Sequence, residues 1–217
     1  MATTLALKHL QPIAKGNVRF VFEHPDTPDL LIKVMRPDLV EARYGEGAAW
    51  FRRGRRFDPY LLFIREIREY VAAYASHGRS LPFAQTVRGL VETDLGLGLV
   101  TDAARGPDGN LAPTAAKLIQ VGDFDEVAEQ ALEEFLGGLL ESDLIVSDLH
   151  ERNIVYASGK DGARRFVMID GLGSSNLLAF KCWSRALNRR SKVKRIERLR
   201  KRIAGRVEAF RAGRPRP

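Results

Sequence analysis

The stretch LIVSDLHERNIVYASGK, residues 144–160, decides how this chain is read. A short apolar run, Leu144 to Val146, ends in Asp148, and Asn153 follows five residues later. A second apolar run, Arg165 to Ile169, delivers Asp170 inside VMIDGLG. Two strand-like runs joined by a Gly-Lys-Asp-Gly turn predict a hairpin. Its open end would gather Asp148, Asn153 and Asp170. Hard oxygen donors collected in this way are what a magnesium ion carrying a phosphate requires.

Working back towards the N-terminus, VRFVFEH (18–24) and LLIKVM (30–35) read as a second hairpin, interrupted by Pro25 and Pro28. Lys33 stands among Leu30, Leu31, Ile32 and Val34. Strand alternation alone would turn it to solvent, opposite Ile32 and Val34. Residues 45–54 are irregular and basic and read as a loop. A helix follows, with Asp58 as cap, Pro59 in its first turn and Gly78 as its stop. Its periodicity places Ile64, Ile67, Val71 and Tyr74 on the buried face. The same helix carries Glu66 and Glu69, either of which would reach a lysine. Glu66 is preferred because it shares a face with Tyr70; the rival reading is a solvated REIRE face with intrahelical ion pairs.

Strands are expected at 86–93 and 97–103. A turn at Pro107–Asn110 comes next, then a helix capped by Asp123 or Asp125 and running to about Glu141. That helix would bury Val127, Ala131, Leu132, Phe135 and Leu139. The order strands, helix, strands, helix, hairpin, helix predicts an α+β fold.

Taken together, Lys33, Glu66, Asp148-x-x-x-x-Asn153 and Asp170 resemble the ordered set of protein-kinase-like phosphotransferases. The Asp-Leu-His form of DLHERN is similar to the catalytic loop of small-molecule kinases such as the aminoglycoside phosphotransferases. The resemblance implies a two-lobed kinase-like fold that binds ATP and Mg2+. Asp148 would be the base, Asn153 and Asp170 the metal ligands, and Lys33 with Glu66 the group that orients phosphate. His150 is expected to be structural, bonding the loop backbone, rather than a metal ligand. The pattern departs from a kinase where a glycine-rich loop should approach phosphate. IAKGNVRFVF offers one glycine, Gly16, with Arg19 placed to contact phosphate by side chain instead. DGLG replaces Asp-Phe-Gly. Only 47 residues follow Asp170, too few for the substrate-binding lobe of a eukaryotic-type protein kinase.

Nearly the whole chain resembles one bacterial group, the YrbL family, named for the PhoP regulatory network. The resemblance is carried by VRGLVETDLGLGLVTDAARGPDGNLAPT (87–114), DLHERNIV, MIDGLGSS and WSRALNRRSKVKRIERLRKRI (183–203). It implies one kinase-like domain over residues 1–217: a sheet-rich lobe to residue 103, a reduced helical and hairpin lobe over 104–180, and a basic helix over 181–217. Two functions follow as expectations. One is an ATP- and magnesium-dependent phosphotransferase acting on a hydroxyl of a small or envelope-associated molecule, or of a protein acceptor. The other is a pseudokinase, a regulatory binding module in a PhoP-like envelope-stress response.

Charge is unevenly divided. Of the formal net +8, residues 181–217 hold 15 Lys or Arg against Glu197 and Glu208, a net +13, which leaves −5 on the rest. The basic helix, expected from about Phe180 to Ala212, carries Ile196, Leu199, Ile203, Val207 and Phe210 at helical spacing. It packs that stripe on the body, with Trp183 and Cys182 anchoring its start, presents Lys181–Arg216 to an anionic membrane surface, or folds over the active site and attracts a phosphorylated substrate. Nucleic acid ranks below lipid because no groove-reading motif accompanies the charge. A single cysteine excludes an intrachain disulfide, and no apolar run reaches eighteen residues. With no signal-peptide pattern at the start, the expected location is the cytoplasm, including the inner face of the membrane.

Overall fold

The computed structural model describes residues 4–47, 58–159, 161–173 and 184–213. Two compact units divide the chain: residues 1–67 with 86–103, and residues 68–85 with 104–217.

The first unit is built on a five-stranded antiparallel sheet, order β1-β2-β3-β5-β4. Its strands are β1 (Ala14–Lys15), β2 (Arg19–His24), β3 (Thr27–Met35), β4 (Val87–Thr93) and β5 (Gly96–Asp102). Strand β3 lies between β2 and β5, with Lys33 opposite Val21 on one side and Leu99 on the other. Leu7, Phe22, Ile32 and Val34 form a core on this sheet, with Phe20 and Val91 packed against them. A short helix α1 (Pro37–Tyr44) follows β3, inside a stretch with no apolar periodicity. None of its residues is buried, and its signals were Pro37 at the first turn and Gly45 just past the end.

After a 3-10 turn at Asp58–Tyr60 comes α2 (Leu61–His77), its first residues counted with the sheet unit and the remainder with the second unit. The expected buried face is wrong in part. Val71 and Tyr74 are 56% and 54% exposed, while Phe63, Glu66, Glu69 and Ala73 are buried. Two glutamates with partners inside the fold occupy positions that apolar periodicity assigns to solvent. Residues 48–57, most of the expected basic loop, lie outside the described residues.

The second unit is mainly helical. Helix α3 (Ala115–Val121), unforeseen in sequence, is capped by the Thr114 hydroxyl and ends at Gly122 with φ +84°. Helix α4 (Glu126–Glu141) is capped by Asp125, whose carboxylate accepts the Ala128 amide. It buries Ala128, Ala131, Leu132, Phe135, Leu136 and Leu139. Val127, expected in that stripe, is 65% exposed. The hairpin pairs β6 (Ile154–Ser158) with β7 (Arg164–Met168). The run Leu144–Val146 is therefore not its first strand. It is buried, and Val146 makes an isolated antiparallel bridge to Leu172.

Helix α5 (Arg185–Arg211) starts at the Ser184 cap, and the expected anchors Cys182 and Trp183 lie outside the described residues. Ile196, Leu199 and Ile203 enter the same core as α4 and the hairpin, and Val207 packs at its edge. Phe210 is exposed but its ring lies against Gly122. The packing alternative therefore holds for this helix. Its charges also meet their complement: Arg185 pairs with Asp143, Arg189 with Glu141, Arg200 with Glu133, and Arg202 and Arg206 with Glu151. Five arginines of the basic end are thus paired with four carboxylates of this unit.

Candidate functional site

In the sheet unit, the interior of β3 would be a poor place for an ammonium without a partner, since burying an unpaired charge is costly. Lys33 is only 4% exposed, and its Nζ donates to Glu66 Oε2 at 2.9 Å. Glu66 comes from the first half of α2, and its other oxygen, Oε1, accepts from the Arg19 guanidinium. Arg19 begins β2 and is buried as well. One carboxylate thus holds two cations from neighbouring strands. Arg19, expected at phosphate, sits on the glutamate that orients Lys33. Gly16 lies in the turn between β1 and β2, where its amide donates to the Arg19 carbonyl at 2.9 Å. It closes a tight hairpin there.

Glu69, the rejected alternative, has a different partner. Its Oε2 accepts the Ile145 amide at 2.8 Å within the second unit. Burial pushes this carboxyl above its usual value, against the pull of that amide.

In the second unit, a backbone scaffold fixes Asp148, Asn153 and Asp170. The amides of Ser147 and Asp148 both donate to the Gly171 carbonyl, at 2.8 and 3.2 Å. The Gly173 amide donates to Ile145 O at 2.8 Å. Gly171 has φ +83°, and a Cβ there would collide with the Asp148 carbonyl, so only glycine fits. Asn153 ends the loop, its amide donating to His150 O at 2.8 Å, and its own carbonyl accepts the Ile169 amide at 2.9 Å. Asp170 is the next residue after that contact, and its Oδ1 accepts the Gly171 amide at 2.6 Å.

The side chains follow from this frame. Asn153 Nδ2 donates to Asp148 Oδ2 at 2.9 Å and to the Asp148 carbonyl at 3.1 Å. With its nitrogen committed, the amide oxygen is the atom Asn153 offers to a cation. Asp148 is exposed, whereas Asn153 and Asp170 are half-buried. Among the described residues no three His, Cys, Asp or Glu are grouped to hold a metal ion. One carboxylate and one amide oxygen instead fit magnesium, which keeps most of its waters and takes few protein ligands beside substrate phosphates.

His150 is neither deeply buried nor part of this oxygen set. Its Nδ1 lies 3.1 Å from Glu151 Oε2, and the Arg152 amide approaches the same nitrogen at 3.3 Å. The carboxylate favours the proton on Nδ1, making the Glu151 contact the stronger one. Burial lowers the imidazole from its ordinary value, and Glu151 opposes that shift. Glu151 itself was missed in sequence. It is fully buried although it reads as one more charge in HERN, and its partners Arg202 and Arg206 lie about fifty residues downstream.

A family model described as PhoP regulatory network protein YrbL matches residues 5–204, and the chain belongs to that family. A search of curated proteins returned no match. Among solved structures, a point mutant of the PknI kinase domain from Mycobacterium tuberculosis is similar at 17% identity. That match covers 76% of this chain and 59% of that one, with a TM-score of 0.44. Rad53 1-466 in complex with AMP-PNP is similar at 13% identity, with 75% and 38% covered and a TM-score of 0.47. The chain thus spans 38% to 59% of the length of these two neighbours. The fold is α+β and kinase-like in its order of elements. A lysine on the third strand of an antiparallel sheet pairs with a glutamate of a following helix. An Asp-x-x-x-x-Asn loop comes after them, and an Asp-Gly follows the hairpin.

Proposed function

We propose that this member of the YrbL family is an ATP- and magnesium-dependent phosphotransferase acting on a hydroxyl of a small or envelope-associated molecule. The observation that carries the reading is the buried Lys33–Glu66 pair, 2.9 Å long and held on an otherwise apolar strand. In kinase-like phosphotransferases a strand lysine held by a helix glutamate is the group that binds nucleotide phosphates, and this pair has that form. In this reading Glu66 fixes the Lys33 ammonium, and Lys33 binds the nucleotide phosphates. Arg19, held by the same carboxylate, adds a second cation beside a turn too poor in glycine to wrap phosphate with amides.

Asp148 accepts the proton of the acceptor hydroxyl, whose oxygen forms the new bond to the γ-phosphorus as the bond to the ADP oxygen breaks. Asn153 orients Asp148 through its 2.9 Å contact and, with Asp170, holds magnesium. The metal, when bound, neutralises charge on the phosphate oxygens. Gly171 keeps Asp148 and Asp170 in register.

A second reading, a pseudokinase that binds nucleotide without turnover, is favoured by the Arg19–Glu66 contact and the single glycine in the Gly16 turn. Turnover of ATP separates the two. The test of the shared step is calorimetric titration of ATP into the wild type and Lys33→Ala. Loss of a charge-assisted contact should weaken binding by at least about 1.4 kcal/mol, or tenfold. Unchanged affinity would return Lys33 to a structural role.

Its partners would be a nucleotide, a hydroxyl acceptor and an anionic surface. With the apolar stripe of α5 packed in the core, only its outward face is offered to such a surface. Arg190, Lys194, Arg198 and Lys201 are exposed there at three- and four-residue spacing. No described helix is long and apolar enough to cross a membrane.

A further inference from the structure

Glu151 is the acidic residue of the second unit with no contact to solvent, and it sits inside the loop that carries Asp148 and Asn153. Removing a carboxylate from water is strongly unfavourable unless cations and hydrogen-bond donors replace the lost hydration. Here three groups do so. Arg202 Nη1 donates to Oε2 at 3.1 Å, and His150 Nδ1 lies 3.1 Å from the same oxygen. Arg206 Nη2 stands 3.2 Å from Oε1, in ion-pair range but without the alignment of a hydrogen bond. Arg202 and Arg206 are four residues apart on α5, so both reach the loop from one helix face. That helix is itself fixed by Ile196, Leu199 and Ile203 in the core. The Glu151 carbonyl accepts the Ala116 amide at 3.0 Å, which ties the same residue to α3.

We infer that Glu151 is a positioning residue, and that the basic C-terminal helix is a brace for the Asp148–Asn153 loop. Leu149 seats the first half of the loop in the core, and beyond it Glu151 is the one buried side chain before Asn153. The loop's ends are held by the Gly171 and His150 carbonyls, and Arg152 is exposed. The Arg202–Glu151–Arg206 clamp fixes the middle. Asp148 and Asn153 then keep the 2.9 Å contact that sets the oxygen donors. This gives the dense charge of the helix a role inside the unit that neither solubility nor surface binding requires.

The experiment is hydrogen exchange, resolved to single amides, on the full chain. It compares the wild type, the Arg202→Gln/Arg206→Gln double variant and a Lys/Lys double variant at the same positions. Both arginines are partly exposed, so these variants should fold even where Glu151→Gln does not. In the Gln/Gln variant the amides of Asp148 and Asn153 should exchange at least about tenfold faster, while those of Leu132 and Phe135 in α4 change less than about twofold. The Lys/Lys variant should retain most of the protection. Unchanged exchange at Asp148 and Asn153, an equal rise in α4, or no rescue by lysine would each overturn the inference.

The link to phosphoryl transfer rests on the reading above and has its own arm. Magnesium should tighten ATP binding in the wild type, and this gain should fall about tenfold in the Gln/Gln variant. A wild type that binds no ATP would remove that reading and leave the exchange result standing. A wild type that binds magnesium-ATP, beside a variant with loosened loop amides and undiminished binding, would overturn the positioning role alone.

Discussion

Lys192 offers the sharpest test of how α5 is held. Its ammonium is buried and donates to Leu139 O at 2.8 Å and to Ser142 O, two carbonyls at the end of α4. Helix ends leave such carbonyls without intrahelical partners. Leu139 O has a second donor in the Ser142 hydroxyl at 2.8 Å. Replacing Lys192 by methionine keeps the volume and deprives Ser142 O of this donor. A buried carbonyl left without a partner costs about 1–3 kcal/mol. Loss of a cation at the helix terminus adds about 0.3–1 kcal/mol, and relief of the buried charge offsets part of the sum. The expected net loss is about 2 kcal/mol, or a Tm lower by roughly 4–8 °C for a chain of this size.

The measurement is urea unfolding followed by circular dichroism. Arg190→Met, on the exposed face of the same helix, should stay within about 0.5 kcal/mol and serves as control. Burial also lowers the Lys192 pKa from its ordinary value. Between that lowered value and the unfolded one, the unfolded chain binds more protons, so stability contributed by this group rises with pH. Wild-type stability should therefore climb relative to Lys192→Met as pH approaches the ordinary lysine range. A methionine variant as stable as the wild type, with an identical pH dependence, would refute the capping role.

Gly171→Ala places a Cβ against the Asp148 carbonyl at a positive φ, so it should destabilise the fold by more than about 1 kcal/mol in chemical denaturation. It should also abolish any magnesium-dependent gain in ATP affinity; a neutral effect would contradict the Gly171 frame. The outward cations of α5 should bind anionic vesicles by charge alone, at about 1 kcal/mol per basic residue at best. Sedimentation should show binding at low salt that is lost near physiological salt and absent for neutral vesicles. Arg190→Gln/Lys194→Gln/Arg198→Gln/Lys201→Gln should remove it, and no binding to anionic vesicles at low salt would end the membrane reading.

What sequence made legible was the order of chemical groups; which face each element buries was harder to read. Lys33 could be paired with Glu66 because a lysine in an apolar strand and a glutamate in the next helix form a recognisable sequence. Asn153 and Asp170 could be placed at a hairpin mouth because a glycine turn separates two β-rich runs. The misses share a physical cause. On α2, Glu66 and Glu69 are buried by specific partners, so apolar periodicity points to Val71 and Tyr74, which face solvent. The Leu144–Val146 run is buried without being a strand of the hairpin, and composition does not distinguish the two. Glu151 leaves no local signal because its arginines arrive from a helix far along the chain. The charge split between body and tail was visible, and part of it resolves into ion pairs within the second unit.

The central claim is that Asp170 and Asn153 hold magnesium beside a nucleotide. The most direct measurement is a thermal-shift series on the wild type and Asp170→Ala, with magnesium alone, ATP alone and both. A ligand at about 100 times its Kd stabilises the native state by about 2.7 kcal/mol, which corresponds to roughly 5–10 °C here. The wild type should gain stability from ATP and gain further when magnesium is added. Asp170→Ala should keep its fold and any magnesium-free response but lose the added increment. A wild type that shows no response to ATP with magnesium, or a magnesium-dependent increment that survives in Asp170→Ala, would contradict the account.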